Sequence, residues 1–195
     1  MDVPCQFPDC REKADVYIAE LSSHSFLRGA TWCEPHARSQ MPFTLPSQPH
    51  SCPRNDEEYA RFELKYIVGF VDRPEPYGLL YLFDDNGEQY FYVTSGYFEF
   101  NSSLGVARRR NDPRPLTFQA IAAIIQALGA QVQDVIIDEY DVETTVYHAK
   151  VRMLQGNRPA VVDIRPSDAL PIAILTGSPV FVSKIVLEKV GRRTK

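Results

Sequence analysis

Pro166 and the residues around it constrain the chain path more tightly than any other stretch. Ala160, Val161 and Val162 form an apolar, β-branched run, so the chain reaches Asp163 as a strand. Pro166 pushes Arg165 out of the α region and sets its own φ near the helical value, so a strand stops here and a helix can start. Ser167 and Asp168 offer oxygens suited to capping the first free N–H groups. Ala169, Leu170, Ile172, Ala173 and Leu175 continue as a helix, with Pro171 tolerable only in its first turn. Gly177 suits a left-handed position just past the helix end, and Val180 to Val182 reads as the next strand. An acid, a base and a helix N-terminus therefore converge at a strand end, where a phosphate or a metal ion can sit.

The N-terminal segment carries a second signal. Cys5-x4-Cys10 is followed by Cys33-x2-His36, two close pairs that a hairpin can bring together. Three thiolates and an imidazole make a closed tetrahedral Zn²⁺ site, structural in kind because no position remains for a substrate. Ala14 to Ala19 alternates as a strand, and Gly29-Ala30 suits a turn before Cys33, so the segment reads as a zinc ribbon or treble-clef knuckle. The rival reading is four unlinked side chains. It is the weaker one, because so short a segment has too little apolar surface to fold without a staple. His24, His50 and Cys52 fall outside the pattern and read as surface residues, with His50 or Cys52 as substitute ligands.

Bulk properties exclude several classes. The sequence shows no basic n-region with an apolar run and no stretch long enough to span a bilayer, so we expect a cytoplasmic protein with reduced cysteines and no membrane partner. Residues 1–60 hold 5 Lys/Arg against 9 Asp/Glu, and residues 61–195 hold 16 of each. A dedicated nucleic-acid binder is strongly basic. Any such contact here must be local, at Arg108-Arg109-Arg110, Arg114 or the tail Arg192-Arg193-Lys195. Pro42, Pro46, Pro49 and Pro53 lie among Ser and Gln, the composition of an extended linker. The expected division is a knuckle over 1–40, a Pro-rich linker over 41–60 and a domain over 61–195.

Within that domain, strands are expected at Phe62–Val71, Gly78–Phe83, Glu88–Thr94, Val132–Asp138, Thr144–Leu154 and Arg158–Ile164, with turns at Asn86-Gly87 and Gly156-Asn157. Ser95 to Arg108 reads as helical. A second helix is capped by Thr117, and its Ile121, Ile124, Ile125 and Leu128 share one face, which we assign to the core. Strands outnumber helices and the turns are short. The expected fold is α+β, a mainly antiparallel sheet with two or three helices.

The wording Asp163-x-Arg165-Pro166-Ser167-Asp168-Ala169, with Thr176-Gly177-x-Pro179-x-Phe181-Val182, resembles the bifunctional nuclease family, a bacterial and plant domain. Arg114-Pro115-Leu116-Thr117 and Val146-Tyr147-His148-Ala149 look like further blocks of it, and the likeness spans roughly residues 62 to 190. Gly96 and Glu99 match the family, whereas Phe118-Gln119 stands where relatives commonly carry His-Asp. The resemblance implies a divalent-metal-dependent nuclease acting on DNA or RNA. Such chemistry needs carboxylates for Mg²⁺ or Mn²⁺ and a cation for the phosphate, roles open to Glu99, Asp163, Asp168 and Arg165. Arg114, Arg165 and Ser167 are the candidate substrate contacts. Bland alternatives stand beside each: Asp168 or Ser167 as a helix cap, Arg165 paired with Asp163, Glu99 as a solvated helix residue. The rival function is a non-catalytic regulatory or adaptor protein that docks a protein partner through its zinc segment. A homodimer is a further expectation.

Overall fold

The computed structural model describes residues 4–22, 25–40, 59–109 and 113–194. His24, His50, Cys52, Arg110, Lys195 and the greater part of the Pro-rich stretch lie outside the described residues. The chain opens with hairpin β1 (Val16–Ser22) and β2 (Ser25–Trp32), then α1 (Glu34–Gln40). A meander follows: β3 (Tyr59–Phe70), β4 (Tyr77–Asp84) and β5 (Gln89–Gly96). Helices α2 (Tyr97–Ala107) and α3 (Thr117–Ala127) lead to β6 (Ala130–Asp141), β7 (Val146–Gln155) and β8 (Arg158–Ile164). The chain closes with α4 (Pro166–Thr176), β9 (Val180–Ser183), α5 (Lys184–Val190) and the two-residue β10 (Arg192–Arg193).

The strands form one sheet in the order β10-β5-β4-β3-β9-β6-β7-β8, with β1 paired to β3 and β2 to β1. All described strand pairings are antiparallel except β6 with β9. The fold is the expected α+β class, with five helices among the described residues. The two not anticipated, α1 and α5, are seven residues each, too short to show a clear helical period.

β3 divides its outer edge between two partners. Tyr59–Phe62 pair with β9, and Tyr66–Phe70 pair with β1. Its other edge runs along β4 with one bulge near Leu64 and Tyr66. Period-2 alternation sorts its side chains: Phe62, Leu64 and Ile67 enter one core with Leu80, Leu82 and Phe91, while Val68 and Phe70 enter a second with Leu79, Tyr81 and Phe83. Helices α2, α4 and α5 pack on the first core, and Val16, Ile18 and Ala37 of the N-terminal segment pack into the second. Tyr147 on β7 reaches back to donate its hydroxyl to the Tyr92 carbonyl at 3.0 Å and packs on Phe91, so the sheet curls around the first core.

Helix termini depart from the sequence reading in two places. Gly177 ends α4 at φ 67°, as expected, but the N-cap is Arg165 with Pro166 as the first helical residue. Ser167 and Asp168 are therefore inside the first turn, and neither caps it. A proline at the first helical position wastes no hydrogen bond, which moves the start one residue upstream of them. Likewise Thr117 is the first residue of α3 rather than its cap; the Gln119 side chain accepts from the Leu116 N–H at 2.8 Å instead.

The α3 face also needs correction. Phe118 is buried against Val106 and Ile172, and Ile121 and Ile125 pack partly on that cluster. Ile124 and Leu128, expected in the core, are 59% and 63% exposed. The helix sits at the margin of its layer, so only one side of its apolar stripe meets α4 and β6.

Removing the N-terminal segment tests its place in the sheet. A fragment of residues 59–195 leaves the Tyr66–Phe70 edge of β3 unpaired and loses the buried Val16, Ile18 and Leu21. At roughly 1.5–3 kcal/mol per side chain, the loss is on the order of 5 kcal/mol, or roughly 10–20 °C in melting temperature. A scanning calorimetry trace of the fragment matching the full chain would show that the segment folds apart from the domain.

Candidate functional site

The N-terminal ligand set is assembled by three turns. The Cys10 N–H donates to the Phe7 carbonyl at 3.1 Å, closing the loop after Cys5, and the Cys5 N–H donates to Glu12 at 3.0 Å. Cys33 follows β2, and His36 lies in the first turns of α1. The Cys10 and Cys33 Sγ atoms are 3.9 Å apart, Cys5 Sγ is 3.6 Å from His36 Nδ1, and Cys33 Sγ is 3.2 Å from it. All four ligand atoms lie within 4.8 Å of one another. A tetrahedron with Zn–S bonds near 2.3 Å has edges of about 3.8 Å, so the set is compact enough to close on a zinc ion. The Phe7 ring stacks on His36 at 4.0 Å and fixes the imidazole plane. Burial works to raise the Cys5 thiol, but hydrogen bonds from the Cys33 and Phe7 backbone, with His36 and Cys10, bring it down to about 6. The Glu12 backbone pulls Cys10 down, yet burial and the neighbouring Cys5 and Cys33 sulfurs leave it raised. Such crowded thiols are the state a divalent cation relieves.

The second group lies between the starts of α2 and α4. Glu99 and Asp168 each occupy the third helical position of their helix, where the positive end of the peptide dipoles favours a carboxylate. Arg165 sits between them. Its Nε donates to Asp168 Oδ2 at 2.7 Å, and its Nη2 donates to Asp168 Oδ1 at 3.2 Å and to Glu99 Oε1 at 2.8 Å. The Asp168 contacts first, then Glu99, hold the guanidinium pKa above its ordinary value. The Arg165 side chain is 65% exposed while both carboxylates are 19% exposed, so the fork faces water from a partly sheltered seat.

Gly96 makes that seat possible. A Cβ there would lie 2.7 Å from Glu99 Oε2, so any side chain larger than hydrogen displaces the carboxylate. Glu99 is thus a folded-back, ion-paired residue rather than a solvated one. The expected alternative of an Arg165–Asp163 pair gives way to Asp168 and Glu99.

The other sequence candidates are placed differently. Asp163 is exposed on β8 across from Lys150, whose ammonium bonds Asp138. Ser167 is buried in the first turn of α4. Arg114 is exposed ahead of α3, and no described contact ties it to Arg165. Two of the basic clusters are partly spent inside the chain: Arg108 lies over Tyr17 at 4.8 Å and Arg192 over Tyr92 at 5.0 Å. The pair of Asp134, buried, and Arg152 was not singled out from sequence. Its only signal was the cross-strand register, which the sequence does not display.

These features define a class: an α+β protein with a Cys₃His knuckle built into its sheet and an arginine gripped by two carboxylates between helix N-termini. The chain belongs to the bifunctional nuclease domain family, which it matches over residues 80–195. Similar relatives include uncharacterized proteins from two strains of Mycobacterium tuberculosis, 32% identical over 126 residues, or 64% of this chain and 74% of theirs. No helix among the described residues is long and apolar enough to cross a membrane.

The ligand geometry predicts about one zinc per chain in protein purified without chelator. Elemental analysis should find it in the wild type and lose it in Cys33→Ser; metal-free wild-type protein would end the idea. At the other group, Gly96→Ala should free Arg165 from Glu99. Side-chain 15N relaxation of Arg165 should report greater mobility, while melting shifts by less than about 4 °C because an exposed pair contributes ~0–1 kcal/mol. An unchanged Arg165 signal would mean that Glu99 reaches it by another route.

Proposed function

We propose that this chain is a divalent-metal-dependent nuclease whose working corner is Glu99, Arg165 and Asp168, with Asp163 at the adjoining strand end. The observation that supports it is the two-carboxylate grip on a water-facing arginine in a member of this family. A guanidinium fork matches two phosphate oxygens as well as it matches a carboxylate. A phosphate arriving there competes with Asp168 and Glu99 for the same N–H donors. The carboxylates it releases are oxygen ligands of the kind that hard cations take. Mg²⁺ or Mn²⁺, when bound, would polarise the phosphoryl group and acidify a water. Arg114 and Ser167 are the further substrate contacts in this reading. The Cys₃His group holds structural zinc. A second copy of the chain, if it pairs, would meet the edge of β8, where Val161 and Val162 are both exposed.

One observation favours the rival reading, a non-catalytic adaptor. At the positions where the family resemblance leads one to expect His-Asp, Phe118 is buried against Val106 and Ile172 and Gln119 closes the start of α3, so both positions serve structure here.

Labelled single- and double-stranded DNA and RNA, incubated with Mg²⁺ or Mn²⁺ and with EDTA, separate the two. The nuclease reading expects EDTA-sensitive cleavage that Asp168→Asn reduces by about 10²-fold or more, with melting little changed. Arg165→Lys should raise KM roughly tenfold, since a point charge cannot replace the fork. Wild-type protein that cuts none of these substrates favours the adaptor; Asp168→Asn that cuts as well as wild type takes the chemistry away from the Arg165 corner.

A further inference from the structure

Among the described residues, Phe98 is the most exposed large apolar side chain, at 82%, and it directly precedes Glu99. Leaving a phenylalanine in water forgoes the gain of burying it, and a lone surface ring needs no explanation by itself. This ring is not alone. Tyr97, 42% exposed, meets it edge-on with centroids 5.9 Å apart and interplanar angle 71°. Tyr97 in turn lies 6.5 Å from Phe100, which is buried. Phe100 is seated against Gly69 and Gly78 so closely that a Cβ at either would come within 2.2 or 2.5 Å of it. The row Phe100, Tyr97, Phe98 is therefore anchored in the sheet at one end and bare at the other. In sequence, its bare residue directly precedes Glu99, the carboxylate that pairs with Arg165.

We propose that Phe98 is the nucleobase-stacking residue of the Arg165 corner, and that the substrate is a single strand or unpaired end rather than intact duplex. This rests on the nuclease reading above. An exposed aromatic ring in the helix turn whose Glu99 holds a guanidinium offers the two kinds of contact a nucleotide takes, a base to stack and a phosphate to grip. Every base has a π-face, so the contact tolerates sequence, but in duplex those faces are occupied by neighbouring pairs. The charge distribution agrees. Residues 61–195 hold equal numbers of acidic and basic residues, and Arg108 and Arg192 are engaged with Tyr17 and Tyr92. Counterion release by a basic track cannot supply most of the affinity. Stacking, which salt does not screen, can.

The test uses the full chain without divalent metal, so that nothing is cut. Phe98→Trp reports stacking directly: oligothymidylate should quench the added indole emission, measured against wild type, and a closed hairpin duplex should not. Phe98→Ala should weaken binding of the same single strand roughly 5- to 150-fold, Phe98→Tyr should restore it, and all three should melt with wild type because the side chain is exposed. The dependence of log K on log salt should have a slope no steeper than about −2, as expected for very few phosphate contacts. Absent quenching, equal binding by wild type and Phe98→Ala, or equal affinity for hairpin and single strand overturns the proposal. Metal-dependent cleavage that Phe98→Ala leaves unchanged in KM sinks the stacking role and leaves the nuclease standing. Phe98-dependent single-strand binding without any cleavage does the reverse.

Discussion

The rest of the structure depends on the double pairing of strand β3. Backbone N–H and C=O groups in a sheet interior must find partners, and β3 has twelve residues of them to satisfy. On one edge β4 does so. On the other, β9 serves the first four residues and β1 serves the last five. The two partners come from opposite ends of the chain. A strand paired on both edges and covered on both faces cannot slip its register without turning Phe62, Leu64 and Ile67 away from one core and Val68 and Phe70 away from the other. The Cys₃His group is tied into this arrangement. It holds the strand that completes β3, because Cys10 and Cys33 flank the β1–β2 hairpin.

Helix α2 carries that order to the Arg165 corner. Phe100 seats its first turn against β3 and β4, so the direction of Glu99 is set by the sheet rather than by the loop before it. Helix α4 arrives from the other side, its start fixed by Pro166. Two helix N-termini pointing toward one place favour negative charge, and Glu99 and Asp168 supply it. Two carboxylates left alone there would repel each other. Arg165 resolves that repulsion while remaining open to water, which makes it the structural counter-ion of both.

Local rules made much of the chain legible. Gly177, Pro166 and the alternation of β3 to β5 each act over a few residues, so their consequences follow from neighbours in sequence. Long-range arrangement decided the exceptions. Ile124 and Leu128 have the spacing of a core face, but spacing cannot say how far a partner layer extends, and α3 lies at the margin. Gln119 reads as an ordinary polar helix residue until the Leu116 N–H is seen to need an acceptor. Arg108 and Arg192 belong to basic runs that suggest a phosphate track; folding instead places them over Tyr17 and Tyr92.

By itself the sequence determined the paired metal ligands, the strand–proline–helix corner and the family to which the chain belongs. Each is written in adjacent residues or fixed spacings, and ligand reach and proline geometry are short-range. Tertiary structure decided which acids meet Arg165. Glu99 lies 66 residues away in sequence, and only the seating of α2 on β3 and β4 brings its carboxylate to the guanidinium in place of the nearer Asp163. It also decided that the hairpin between the two Cys/His pairs is part of the sheet, because strand pairing is a contact between distant segments that no local pattern records.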